Sequence, residues 1–383
     1  MAPLCEALSA HATVRVVSHD RPLGPREGSL VLTESVPSRS TGSALPARLL
    51  SSLHLSFSLA RRVLLSARPG ETLLCFTSPP TLPFFAGAAA RVRGLRLGVV
   101  VHDLYPEVLE TLGLLRAGSG GASALHAMSA SLYGRADVLI VLGEAAKARI
   151  RLKAPFAPIH VIPNGAWPGP RPDAEAVARA REGFGDAQFI VQYCGTMGRT
   201  HDVSIVLNAA EKLDGRADIG FQFIGRGAQF AAIKERVNSR ARPRIQILGS
   251  VRDDQLGDYL AAADVSVVSY RAGMTGISYP SRLADVFSAG RPVLAVTDPG
   301  SDIEALITSR RVGLVAPCGD ASALAGAIER LASDRTSTRQ MGECALAFAD
   351  EHLRWDHIGR RYADALWPPG VERRRGGEER GKD

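Results

Sequence analysis

The sequence predicts a two-domain α/β protein built on parallel sheets, and two observations carry that expectation. Strand-length apolar runs alternate with helical patterns along the chain, which is the order that covers a parallel sheet with helices on both sides. The alternation stops at residues 163–172, PNGAWPGPRP, a stretch dense in breakers, and then starts again. A chain of 383 residues accommodates two domains of about 150 to 200 residues, each large enough for its own hydrophobic core.

In the first half, strands are expected at 14–18, 72–76, 97–101, 138–142 and 159–162, with helices at 4–10, 46–66, 81–92, 107–115, 122–135 and 143–153. The second half repeats the pattern, with strands at 189–194, 219–224, 245–248, 265–268, 293–296 and 313–315. Asp253 and Asp254 are expected to cap a helix over 255–262. The domains then run 1–168 and 169–345. Terminal helices follow over 346–367, containing Trp355 and Tyr362 and ending at Trp367, and residues 368–383 form an Arg-rich, Gly-rich tail of disordered composition.

Composition narrows the function. The longest apolar runs, such as Val138 to Leu142, fall far short of the roughly 18 apolar residues that span a bilayer. The opening MAPLCE lacks a basic segment and places Glu6 where an apolar core would begin, so no signal peptide is expected. Five scattered cysteines without metal or redox spacing point to a reducing, cytoplasmic compartment. The net charge of +7 calls for an anionic partner. No zinc spacing, RNP-like motif or helix-turn-helix accompanies it, which sets nucleic acid aside. Arg61, Arg62, Arg68, Arg91, Arg93 and Arg96 instead lie near Leu53, Leu55, Phe57, Leu59, Phe84 and Phe85, a basic and apolar combination suited to peripheral attachment at an anionic membrane surface.

The chemistry concentrates in residues 249–307. A buried strand there leads through a polar loop into Ser278-Tyr279-Pro280-Ser281-Arg282. Proline fits the first turn of a helix, and the free backbone donors of that turn, with the helix dipole, make an anion site that a cation at Arg282 strengthens. An ordinary capped helix accounts for the same residues. Gly195 and Gly198 follow the strand at 189–194, where small residues let backbone approach a diphosphate closely, and Arg199 and His201 extend that loop. Gly225 and Arg226 end the next strand, a position that a plain strand-to-helix turn explains equally well. No GxSxG, Walker loop, CxxC, HExxH or DxD is present, so neither a metal nor a cofactor is expected.

These segments, together with Asp103-Leu104-Tyr105-Pro106-Glu107, Ile162-Pro163-Asn164-Gly165 and the loop at 195–202, resemble the family-4 retaining glycosyltransferases in order and spacing from about residue 99 to 330. The likeness is to the bacterial surface-polysaccharide branch, which includes O-antigen and colanic-acid amino-sugar transferases. It implies the GT-B arrangement of two facing Rossmann-like domains, with the donor at the strand ends of the second. It further implies transfer of a sugar, an N-acetylated amino sugar in this branch, from a UDP-sugar or related donor to a lipid-linked saccharide, with retention, at the inner face of the cell membrane.

By that resemblance Arg199 and Arg282 neutralise the leaving diphosphate. Many members place an Arg and a Lys in the first loop; the aligned positions here are Thr196 and His201, whereas the branch uses Gly-Arg-x-His. Gly249 and Val251 fall on the segment that walls the base, and Asp285 on the second carboxylate of a Glu-x7-Glu motif that binds the ribose. The first position of that motif is Ile277, so its contact is expected to be either absent or delegated to backbone around Gly276 to Ser278. His102 and Asp103 are the expected catalytic residues of the first domain, with Asp103 alternatively capping the helix after Pro106. Glu107 either meets the acceptor or serves that helix's first turn. The family opens with a strand and a glycine-rich loop, whereas Pro3 to Leu8 already reads as the helix that follows, so the first domain is expected to lack its opening strand. A non-catalytic partner of another transferase and a sugar-nucleotide epimerase on the same fold are the competing readings.

Overall fold

The computed structural model of the chain describes residues 2–19, 31–35, 45–166, 172–239 and 244–369. The Arg-rich tail and the middle of the breaker-dense segment lie outside them. The chain forms two compact units, one running to Pro163 and resuming at Trp355, the other spanning Asn164–Arg354.

The first unit opens with helix α1 (Ala2–Ser9), strands β1 (Val14–Ser18) and β2 (Val31–Ser35), and the long helix α2 (Leu45–Ser66). It continues through β3 (Thr72–Phe76), α3 (Leu82–Arg93), β4 (Arg96–Val101), α4 (Glu107–Thr111), α5 (Gly120–Arg135), β5 (Val138–Val141), α6 (Glu144–Lys153) and β6 (Ile159–Val161). Strands β3, β4, β5 and β6 pair in that order, all parallel. Val99, Val100 and Val101 of β4 and all of β5 are buried, the pattern of parallel strands covered on both faces. A separate parallel pair joins β1 to β2, and among the described residues no strand links it to β3. Strand β2 escapes the sequence pattern because Thr33, Glu34 and Ser35 break its apolar run.

Helix α4 stops four residues before the expected 115. Gly113 takes a left-handed φ of 67° and the Leu114 amide turns back to Leu109 O at 2.8 Å, a close of the kind that glycine favours. The apolar Leu114 and Leu115 mimic a continuing helix.

The second unit comprises α7 (Ala174–Ala180), β7 (Phe189–Cys194), α8 (Val203–Lys212), β8 (Ile219–Ile224), α9 (Phe230–Asn238), β9 (Ile245–Leu248), α10 (Leu256–Ala262) and β10 (Val265–Ser269). After these come α11 (Leu283–Ser288), β11 (Val293–Thr297), α12 (Asp302–Arg310), β12 (Gly313–Pro317), α13 (Ala321–Ser333) and α14 (Arg335–His352). Its strands form one parallel sheet in the order β12-β11-β10-β7-β8-β9. Phe189, Val191, Phe223, Val265 and Leu294 of the sheet pack with Ile205, Leu207 and Ile328 from the covering helices.

Two expectations are corrected here. Helix α11 begins at Leu283, with Arg282 as its N-cap, so Pro280 sits two residues ahead of the cap rather than in the first turn. Asp253 and Asp254 do not cap α10 by side-chain bonds. They lie in a short 3₁₀ turn, where Asp254 pairs with Arg252 at 3.0 Å.

The last helix, α15 (Trp355–Leu366), belongs to the first unit. Ile358, Tyr362, Ala363 and Leu366 enter its core beside Leu4, Leu8, Val100 and Ile140. Trp367 Nε1 donates to Thr72 Oγ1 at 3.0 Å. Glycine is required where this helix meets the sheet and α1. A Cβ at Gly98 would come within 2.9 Å of Leu366 Cδ2, and one at Gly359 within 2.5 Å of Ala7 Cβ. Leu366 is 1% exposed, so Leu366→Ala is expected to destabilise the protein by about 2–5 kcal/mol, read from the urea midpoint.

Candidate functional site

Strand order positions the site in the second unit. From β7 the chain moves outward through β8 to β9, and from β10 it moves the opposite way through β11 to β12. The loops leaving the carboxyl ends of β7 and β10 therefore part, and such a reversal opens the crevice where doubly wound sheets bind ligands. Every expected donor-binding residue lies on a loop or helix start at this end of the sheet.

The β7 loop is held by close backbone contacts. The Gly195 amide donates to Ile224 O at 2.9 Å and the Met197 amide to Arg226 O at 2.9 Å. A Cβ on Gly225 would run into Gly195 O, and one on Gly227 into Met197 O, so only glycine allows the two loops to touch. Gln229 Nε2 donates to Gly198 O and to His201 O, and Tyr193 Oη donates to Thr196 O at 2.8 Å. Arg199 projects from this braced loop and is exposed. Asp202 accepts from the Ile205 amide at 3.2 Å and caps α8.

Three contacts tie this loop to the one after β10. Ser269 Oγ donates to Asp202 O at 2.8 Å, the Arg271 amide donates to Thr200 O at 3.1 Å, and the His201 ring stacks on Tyr270 with centroids 5.0 Å apart. Burial lowers the His201 pKa to about 4. Above that pH its imidazole is neutral, so His201 does not supply the second cation that the loop alignment suggested.

The β10 loop is shaped by Asp298, whose carboxylate accepts from the Gly273 amide at 2.9 Å and from Thr275 Oγ1 at 2.9 Å. The Ile277 and Ser278 amides both donate to Met274 O, at 2.9 and 3.2 Å. These two donors are thus used inside the loop, and Ile277 itself is buried. Ser278 Oγ lies 3.4 Å from Tyr270 Oη, Pro280 is buried, Ser281 is exposed, and burial raises the Tyr279 phenol pKa strongly. Arg282 Nη1 donates to Asp285 Oδ2 at 2.7 Å, the Arg half-exposed and the carboxylate mostly buried. Burial pushes the Cys194 thiol up to about 11, with the charges of Arg282 and Asp285 acting in opposite senses, which places this pair beside the end of β7.

At the far edge, Arg226 lies along the β9 loop, where a Cβ at Gly249 would come within 3.0 Å of its Nη2. Val251 follows two residues later, partly exposed. In the first unit, His102 and Asp103 follow β4, and both their amides donate to Thr77 Oγ1, at 3.0 and 3.3 Å. Burial lowers the His102 pKa, and its ring lies 5.5 Å from that of Phe76. The N-cap of α4 is Pro106, without a side-chain cap, so Asp103 is not the helix cap. Glu107 is buried against Lys153 Nζ at 2.5 Å, in the first turn of α4.

Sequence reasoning missed Tyr270, Gln229 and Asp298. Asp298 stands immediately after a strand neighbouring the reversal, the one signal that marks it. The other two act through contacts between loops distant in sequence.

Comparison with known proteins agrees with this geometry. Residues 1–165 match the family described as Glycosyl transferase 4-like domain, and residues 188–334 match Glycosyl transferases group 1. With both units matched, the chain is a glycosyltransferase of the GT-B type. It is 27% identical over 299 residues to the probable glycosyltransferase WbjE of Pseudomonas aeruginosa, covering 76% of this chain and 74% of that one. The fold is similar to that of a sucrose-phosphate synthase from Thermosynechococcus elongatus, with a TM-score of 0.74, 18% identity and coverage of 94% and 90%. It is also similar to Anabaena HepE in complex with UDP-glucose, with a TM-score of 0.67, 17% identity and coverage of 88% and 85%.

The depressed His201 pKa gives a testable pH dependence. The unfolded imidazole takes a proton near pH 6.5 and the folded one only near 4, so the contribution of His201 is full above pH 6.5 and lost as pH falls toward 4, by up to roughly 3 kcal/mol. His201→Gln is expected to lose less stability than the wild type between pH 7 and 4.5 in urea titrations at both values.

Proposed function

We propose that this glycosyltransferase moves a sugar from a UDP-sugar to a lipid-linked saccharide in surface-polysaccharide synthesis. It retains the anomeric configuration and uses no metal. The transferred sugar is an N-acetylated amino sugar, and the enzyme works in the cytoplasm as a peripheral protein at the inner face of the cell membrane. One observation carries the donor reading: the braced glycine loops after β7 and β8 and the Arg282–Asp285 pair converge at the strand-order reversal. The solved complexes of HepE with UDP and UDP-glucose support a nucleotide donor, and the relationship to the probable glycosyltransferase WbjE supports sugar transfer.

On this reading the diphosphate lies against the β7 loop and the start of α11. Arg282 gives one N–H to Asp285 and keeps others of its five for phosphate oxygens. Arg199 supplies the second cation from a loop whose backbone is already fixed. As the bond between the anomeric carbon and the phosphate oxygen breaks, negative charge grows on the diphosphate, and cations held in place before the step lower its barrier. Asp285 accepts from the ribose hydroxyls, Gly249 and Val251 wall the base beside Arg226, and His102 and Asp103 serve the acceptor.

Arg199→Ala and Arg282→Ala are each expected to lower kcat by about 10²–10³. Steady-state kinetics beside melting curves tests this, and wild-type turnover in both variants would remove the clamp. UDP at about 100 times its Kd is expected to stabilise the protein by about 2.7 kcal/mol in a thermal-shift series. An equal response to every nucleoside diphosphate would contradict the choice of UDP.

A further inference from the structure

Helix α2 carries a broad apolar face that is exposed among the described residues. At about 100° per residue, positions 49, 50, 53, 57, 61 and 65 fall on one side of the helix. Leu50 and Leu65 are each 65% exposed and Phe57 is 56% exposed, with Leu49 and Leu53 also open to solvent. Buried Ser56 and Leu59 mark the side that packs inward. Phe57 meets Phe85 of α3 edge-on at 6.3 Å, so the surface continues onto α3, where Val92 is exposed. Contiguous apolar surface of this kind on a soluble domain marks a contact site.

Charge selects the occupant. Neither α2 nor α3 contains an Asp or Glu, whereas α2 contains Arg61 and Arg62 and α3 contains Arg91 and Arg93. Arg61 lies within the apolar stripe and is exposed, as are Arg68 and Arg91. Glu34 is engaged by Arg62 and Glu71 by Arg15. Two copies of this face would bring arginines together, which disfavours self-association, and an acidic layer with an apolar interior matches both features. We propose that the α2–α3 face docks on an anionic lipid leaflet, Leu50, Leu53, Phe57 and Leu65 entering the headgroup boundary and Arg61, Arg68 and Arg91 meeting lipid phosphates. This gives a place to the membrane association proposed above, and its test needs no substrate, so it stands or falls apart from the transfer reaction.

The full chain is mixed, without nucleotide, with vesicles of phosphatidylcholine alone and of phosphatidylcholine with an equal part of phosphatidylglycerol, and binding is read by co-flotation. The wild type is expected to float with the anionic vesicles and not with the neutral ones. Leu50→Ser and Phe57→Ser are each expected to weaken binding by about tenfold or more, and Arg61→Glu by about fivefold or more, with unchanged urea midpoints. Hydrogen exchange of the wild type on the anionic vesicles is expected to slow over residues 49–65, a readout independent of any variant. Absence of wild-type flotation, equal flotation with neutral vesicles, undiminished binding by the variants, protection elsewhere in the chain, or a dimer in sedimentation that Phe57→Ser dissolves would each overturn the proposal.

Discussion

Two neighbouring parallel strands whose chains leave toward opposite edges of a sheet cannot share a crossing loop. Between β7 and β10 this constraint sends the two chains toward opposite edges, the reversal at which doubly wound sheets bind ligands. The rest of the candidate site is a response to it. The β7 loop leans on the β8 loop through Gly225 and Gly227, and the β10 loop leans on β11 through Asp298. His201 and Tyr270 then stack across the division.

That bracing has an electrostatic consequence. Gln229 fixes the β7 loop and Asp298 the β10 loop, so the charges these loops carry are held in place by the fold itself. The same bracing settles which groups carry charge. His201 is held neutral by its burial against Tyr270, and Arg282 shares its charge with Asp285, leaving Arg199 as the exposed cation of the β7 loop.

Stability and surface chemistry divide differently in the first unit. Its core is completed by α15, from the far end of the chain, which packs on β4 through Gly98 and on α1 through Gly359. Helix α2, by contrast, buries Ser56 and Leu59 on one side and, among the described residues, exposes leucines interspersed with arginines on the other.

Much of this was legible in the sequence. Parallel strands buried on both faces leave continuous apolar runs, so β4, β5, β7 and β8 could be read nearly to the residue, and the strand-end glycines marked where backbone approaches closely. Features set by contact across the chain could not be read. Strand β2 is polar over most of its length and is a strand because it pairs with β1. Helix α11 starts at Leu283 although Pro280 signals an earlier start, and the amides of Ile277 and Ser278 turn to Met274. The sequence by itself determined the alternation of strands and helices, the family and the residue types around the crevice, because periodicity and short motifs are local properties. Only the tertiary structure decided that His201 is neutral, that Arg282 is paired and that Asp298 shapes a loop it is not part of, because burial and through-space charge depend on segments the chain brings together from afar.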